Sequence, residues 1–189
     1  ACARNTAINN TESEFLAAID SDCVLHPDWL KLIMRRFISP DIAGVGGKLV
    51  DKYKDTVYDS WRSVHMKQYW DIRDNPSFLF GSNTVFRKSA LIKAGLYNEK
   101  YTSNYEDVEL CERMKKKGYS FAYEPHAIVL HLKRDDMRSL LNSYWEWHKE
   151  YYLKKNYYSS KKNFADKLND NVGLANRFIE EDISSGLVR

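Results

Sequence analysis

The 189-residue sequence has only three cysteines, Cys2, Cys23 and Cys111, widely spaced and without a Cys-x-x-Cys pair. That scarcity excludes a disulfide framework and a zinc cage of paired thiolates, and it fits a reducing compartment. There is no internal repeat and no low-complexity tract, although residues 151–171 turn polar. No run of about 18 apolar residues is present to span a bilayer, and the first residues lack the basic and apolar regions of a secretory signal. A strong charge of either sign is missing too. The formal net charge is +3, which calls for no nucleic-acid partner.

What remains is the composition of a globular protein, with 43% apolar and 29% charged residues, enough for one domain or a large part of a bigger one. Aromatics are abundant, with 13 Tyr and 5 Trp. Flat rings either cover the apolar face of a pyranose or pack in cores and interfaces, and for most of them packing is the simpler account.

Phe15-Leu16-Ala17-Ala18-Ile19 is an apolar run without helical spacing, which predicts a strand buried on both faces at the parallel centre of an α/β sheet. It stops at Asp20-Ser21-Asp22. Ligands collect beyond the carboxyl ends of such strands, where two hard oxygen donors can hold Mg2+ or Mn2+ and leave positions for phosphate oxygens. The same residues also suit the start of a turn.

Other elements follow from spacing. A short helix over 3–10 feeds the first strand, and Pro27 opens a helix with Leu30, Ile33, Met34 and Phe37 on one side. Residues 42–50 read as a strand whose glycines at 44, 46 and 47 are too loosely spaced for a phosphate loop. Residues 55–70 are a helix or a lid-like excursion anchored by Tyr58, Trp61 and Tyr69. In 78–86, apolar arms surround Gly81-Ser82-Asn83, either a ligand-approaching turn or a plain hairpin or bulge. A short helix over 88–94 ends at Gly95.

Residues 103–118 read as a helix with Ser103 and Glu106 as a capping box, Val108, Cys111 and Met114 as a buried stripe, and Gly118 as its stop. Glu106 and Asp107 at its start are stabilised there by about 0.3–1 kcal/mol whether or not they do chemistry. Strands over 119–123 and 127–131 are split by Pro125, and the second ends at His131, either a packed residue or a metal ligand. From 137 to 155 runs a helix with a broad aromatic face of Leu140, Leu141, Tyr144, Trp145, His148, Tyr151 and Tyr152. That face suits core packing with a homodimer or domain contact, or a peripheral contact with a membrane carrying a lipid-linked acceptor. A last helix is expected around 172–183.

An acidic pair ending a strand, a Gly-Ser-Asn turn, an acidic pair opening a helix and a histidine ending a strand occur here in an order that resembles the GT-A glycosyltransferases. The specific likeness is to family 2, inverting enzymes that use nucleotide sugars. Ala3-Arg4-Asn5 resembles the family's Ala-Arg-Asn segment and Asp20-Ser21-Asp22 its DXD motif. Gly81-Ser82-Asn83 with the segment 86–91 resembles the acceptor-side turn, Tyr105 to Arg113 the ED motif, and 125–131 the run that delivers a late metal-ligand histidine.

The resemblance covers about 3–132 and implies a Rossmann-related mixed sheet flanked by helices over 1–135, with 136–189 as a helical extension. The family's first nucleotide-binding strands have no counterpart, so the sequence reads as the later part of such a domain. The Gln-x-x-Arg-Trp motif of processive synthases is absent, which disfavours chain polymerisation.

Further expectations rest on the same resemblance. Asp22 and His131 bind Mn2+ or Mg2+, and Asp20 meets the ribose, or the metal through water. Arg4 supports the diphosphate, and Asn5, Gly81, Ser82, Asn83 and Glu106 contact substrate. Asp107 is the general base, its basicity lowered by the helix N-terminus. The implied partners are a nucleotide-diphosphate sugar and a saccharide or lipid-linked acceptor, in the cytoplasm or at the inner face of the membrane. Two other readings stay open: a fragment that binds carbohydrate or a partner without catalysis, and a metal-dependent phosphoryl or nucleotidyl transferase.

Overall fold

The structure, a computed structural model, describes residues 1–71, 74–101, 104–155 and 161–187. The chain runs α1 (Cys2–Asn9), β1 (Phe15–Ile19), β2 (Cys23–Leu25), α2 (Trp29–Met34), β3 (Ile42–Asp51) and α3 (Val57–His65). It continues β4 (Asn83–Arg87), α4 (Lys88–Ala94), α5 (Glu106–Lys116), β5 (Ser120–His131), α6 (Met137–Lys155) and α7 (Lys161–Ser185). It divides into two compact units. Residues 1–52 and 68–133 form the first, and 53–67 with 134–189 the second, so a stretch between β3 and β4 belongs with the C-terminal helices.

In the first unit the five strands form a mixed sheet in the order β1-β4-β3-β5-β2, the α/β architecture expected. Only β3 and β5 are parallel; the β1–β4, β3–β4 and β2–β5 pairs are antiparallel. The position of β1 corrects the sequence reading, since among the described residues it lies at the sheet edge and pairs with β4 alone. Its two faces are only partly covered, since no residue of β1 is fully buried and Ala17 is exposed. Leu16 packs with Ile8, Phe86 and Leu91 on one side, and Phe15 and Ile19 pack with Trp29, Val45 and Val85 on the other. An apolar run reports packing against a strand and says nothing about how many neighbours it bonds.

β5 is a second correction, because the two strands expected around Pro125 form one. Gly47 pairs with Glu124 and the next residue, Lys48, with Ile128, so residues 125–127 bulge out without breaking the β3–β5 pairing. A proline without an N–H is tolerated at such a bulge. β3 accommodates it with glycine, since a Cβ at Gly47 would meet the Ala127 carbonyl oxygen and lie 2.8 Å from Asn83 Oδ1.

α5 begins at Glu106, three residues later than the capping-box reading, and Ser103 lies outside the described residues. Its N-cap is Tyr105, held in the left-handed region at φ 75°. The buried stripe is Leu110, Cys111 and Met114, with Val108 only partly buried.

The second unit contains α3, α6 and α7. The stretch read as helix or lid is a helix whose N-cap Thr56 accepts from Asp59 N at 3.1 Å. Arg62 forms a buried ion pair with Asp135, Asp59 Oδ1 accepts from Asp135 N at 2.7 Å, and Trp61 meets Tyr144 and Phe178 edge-on. The apolar face read along α6 is divided, with Leu140 buried and Leu141 and Trp145 exposed. Tyr151 and Tyr152, read onto the same face, lie outside the residues whose side chains are described.

Substituting Gly47→Ala is expected to destabilise the first unit by about 1–3 kcal/mol through overpacking against the bulge. Urea unfolding followed by tryptophan fluorescence checks it, and an unchanged midpoint would show that the bulge can yield.

Candidate functional site

Asp20-Ser21-Asp22 forms the turn after β1. Cys23 N donates to Asp20 O at 3.1 Å and closes a tight turn, and the two carboxylates leave it toward different partners. Asp20 Oδ1 lies 3.7 Å from Arg4 Nη2, and Asp22 Oδ2 lies 3.4 Å from His131 Nε2.

On the Arg4 side, α1 presents a guanidinium to the start of α5. Arg4 Nη1 donates to Glu106 Oε1 at 2.7 Å, Nη2 donates to Gly81 O at 3.4 Å, and the group lies 5.4 Å from the centre of the Tyr97 ring. Gly81 permits this approach, since a Cβ there would be 3.1 Å from Nη1. The N–H of Gly81 donates to Asp107 Oδ2 at 2.9 Å, and Val108 N donates to Asp107 Oδ1 at 2.8 Å. Each Asp107 oxygen thus keeps one lone pair while two backbone donors fix the plane of the carboxylate.

Burial, opposed by those two donors and joined by the neighbouring Glu106 charge, raises the Asp107 pKa above the ordinary carboxylate value. The net direction is opposite to the expectation that the helix N-terminus would lower its basicity, because burial outweighs the two backbone hydrogen bonds and the Arg4 charge that lower it. Asp20 is raised as well, first by burial, with Asp22 and Glu106 adding and Arg4 and His131 opposing. It is the carboxyl that both the Arg4–Glu106 group and the Asp22–His131 group influence. Burial, with Asp22 and Asp20 beside it, pushes the Cys23 thiol up to about 12, which keeps it a neutral thiol in this acidic setting.

On the other side, His131 is the last residue of β5, between β3 and β2. Its register partners are Asp51 and Cys23, and Leu132 N donates to Asp22 O at 2.7 Å. His131 Nδ1 is 2.7 Å from Asp51 Oδ1. Asp51 was not found in the sequence reading, although a carboxylate at the end of a strand is the signal that singled out Asp20 and Asp22.

Among the described residues no three His, Cys, Asp or Glu side chains gather into a ready cation cage. Asp22 and His131 do suit a divalent cation as a pair. Two ligands each about 2.1–2.2 Å from one ion at roughly right angles lie about 3 Å apart, close to their 3.4 Å spacing. One carboxylate and one imidazole also leave most coordination positions for phosphate oxygens and water, as Mn2+ or Mg2+ use them.

Three of the expected substrate contacts face inward instead. Asn5 donates from Nδ2 to Tyr97 O at 2.9 Å and Glu99 Oε1 at 2.9 Å, and accepts from Tyr97 N at 2.9 Å. Asn83 is 1% exposed and accepts from Trp29 Nε1 at 2.7 Å. Ser82 is buried and donates to Gln68 Oε1. Polar residues beside a site but buried must find partners in the fold, and these three hold the framework under Gly81 and Arg4.

The family described as "Glycosyltransferase like family 2" matches residues 3–148. The chain is 30% identical over 146 residues to the pre-mycofactocin glycosyltransferase of Mycobacterium tuberculosis, with 73% of this chain and 31% of that protein covered. It is 34% identical over 74 residues to that organism's N-acetylglucosaminyl-diphospho-decaprenol L-rhamnosyltransferase, with 39% and 24% covered. It therefore spans about a third or less of the length of these curated relatives. Among solved structures it is similar to the mannosyltransferase PcManGT from Pyrobaculum calidifontis in complex with GDP-Man and Mn2+. The TM-score is 0.52 at 18% identity, with 72% of this chain and 37% of that one covered.

Trp29→Phe is expected to cost about 1–3 kcal/mol, because it strands the buried Asn83 oxygen without its donor. Equilibrium denaturation measures this; a change well below that range would mean Asn83 is not a structural pin.

Proposed function

The chain belongs to the glycosyltransferase-like family 2 and folds as a GT-A-type sheet, and from that premise we propose that it carries the cation and acceptor side of an inverting, non-processive sugar transferase. The observation that carries the proposal is the clamped Asp107 carboxylate, linked through Glu106, Arg4 and Asp20 to Asp22 and His131. The substrates are a nucleotide-diphosphate sugar and the hydroxyl of a saccharide or lipid-linked acceptor. The relative named for a diphospho-decaprenol substrate supports the lipid-linked option.

Asp22 and His131 hold Mn2+ or Mg2+, which when bound supplies Lewis-acid stabilisation to the departing nucleoside diphosphate. Arg4 places a permanent positive charge beside Asp20 and Glu106, where it offsets their repulsion of a diphosphate. Asp20 meets the ribose or a water at the cation. Glu106 orients the acceptor alongside Arg4.

Asp107 takes the acceptor hydroxyl proton as that oxygen bonds to the anomeric carbon. The bond from this carbon to the diphosphate oxygen breaks with its electron pair going to the diphosphate, so one displacement inverts the centre. The raised pKa makes Asp107 a better base than an exposed aspartate, and the backbone clamp fixes its aim. The absence of a Gln-x-x-Arg-Trp motif supports a single transfer rather than polymerisation. The proposed location is the cytoplasm, at the inner membrane face for a lipid-linked acceptor. No helix among the described residues is long and apolar enough to cross a membrane.

The test uses the protein expressed from its whole reading frame with a panel of UDP-, GDP- and dTDP-sugars. Asp107→Asn is expected to lower transfer by about 10²–10⁴-fold with donor affinity retained. Unchanged turnover would remove the assigned base.

A second readout is pH. A base must be ionised, so kcat/KM should fall as pH drops through the Asp107 pKa. Because burial raises that pKa, the acidic limb should lie above the ordinary aspartate value of about 3.9. A profile flat down to that value would contradict the assignment.

A further inference from the structure

We propose that Asp51 is a positioning residue for His131: its carboxylate fixes the imidazole proton on Nδ1 and turns the Nε2 lone pair toward Asp22. The inference rests on the reading of Asp22 and His131 as cation ligands, and none of the motif segments that support that reading includes Asp51.

The geometry is set by the backbone. The bulge at 125–127 advances β5 by three residues against β3, and this advance makes His131 the register partner of Asp51. Both side chains are nearly closed to solvent, at 8% and 9% exposure, whereas Asp22 is 46% exposed. The ring therefore has one nitrogen, Nδ1, 2.7 Å from the enclosed Asp51 Oδ1, and one, Nε2, facing the half-exposed Asp22.

A carboxylate can only accept, and a neutral imidazole has one N–H to give. The 2.7 Å contact assigns that proton to Nδ1. In the neutral ring Nε2 and Asp22 Oδ2 are then two acceptors facing each other at 3.4 Å, an arrangement relieved by a proton on Nε2 or by a cation between them. Histidines that ligate metals characteristically donate their other ring N–H to a carboxylate or carbonyl, which fixes the tautomer and raises ligand basicity. The second ion-paired histidine of the sheet unit, His126, has no such enclosure: it is 71% exposed, with Nδ1 3.0 Å from Glu124 Oε1 just before the bulge.

The experiment separates this inference from the cation reading. Long-range ¹H–¹⁵N correlation spectra of the metal-free, ¹⁵N-histidine-labelled chain, recorded at a pH where the ring is neutral, report which nitrogen of His131 carries the proton. The expected result is Nδ1–H in the wild type and loss of that preference in Asp51→Ala and Asp51→Asn. A wild-type ring protonated on Nε2, or the same tautomer in folded variants, overturns the proposal. The wild-type spectrum decides by itself if the variants do not fold.

Binding of Mn2+ is then measured by electron paramagnetic resonance, with and without UDP. Asp51→Ala should weaken it about 10–100-fold, with partial recovery in Asp51→Glu. An unchanged affinity also counts against the positioning role. A wild type with the Nδ1–H tautomer that binds no Mn2+ under either condition would remove the cation reading while leaving the Asp51–His131 assignment in place.

Discussion

The parallel pairing of β3 with β5, and the three residues by which β5 outruns its partner at 125–127, is the constraint on which the site depends. Strand registers are strict because side chains alternate between faces, and a slip changes which residues meet. The bulge changes phase deliberately, so that the polar end of β5 reaches the polar end of β3 while β2 binds its other edge. The glycines of β3 belong to the same device, since a side chain at Gly44 would strike Phe86 and one at Gly47 would strike the bulge. The sheet core and the histidine position therefore have a common origin.

Electrostatics forms the second layer. Asp20, Asp22, Glu106 and Asp107 come from two distant segments; burial first, and the neighbouring carboxylates second, raise the pKa values of Asp20 and Asp107. Arg4 reaches two of them directly and contacts the Gly81 carbonyl. A guanidinium suits this position because its planar fork can serve several acceptors at once and stays charged. Its location on a short helix at the start of the chain ties α1 to the α5 terminus, and Asn5, one residue on, pins the 97–99 segment.

Much of this arrangement was legible in the sequence. Strand-end carboxylates, an acidic helix start and a strand-end histidine are local patterns, and their order along the chain carried the family resemblance. Side-chain direction was less accessible. Asn5, Ser82 and Asn83 have the chemistry of ligand contacts, but whether a polar residue faces a cleft or satisfies the core depends on long-range partners such as Trp29 and Tyr97. Asp51 stayed hidden for the same reason, since its meaning comes from a residue 80 positions away. The edge position of β1 and the unbroken β5 were misread because burial patterns and proline encode local cover and local geometry, not sheet neighbours. The Asp107 pKa direction depended on how deeply α5 is buried, which no motif reveals.

Tyr105 turns through the left-handed region immediately before the two acidic residues of α5. A bulky residue at positive φ persists only where its surroundings hold it, and Tyr105 has such support: its hydroxyl donates to Glu112 Oε1 at 3.1 Å and its ring packs at a tilt against Tyr101, 5.6 Å between centroids. An engineer seeking a hardier protein would place glycine at 105 to relax the backbone. The gain in robustness would come with the loss of the hydroxyl anchor and the ring contact, so the α5 terminus would lose the stiffness that holds its carboxylates. Position 105 thus marks a point where a relaxed backbone and a stiff helix start pull in opposite directions.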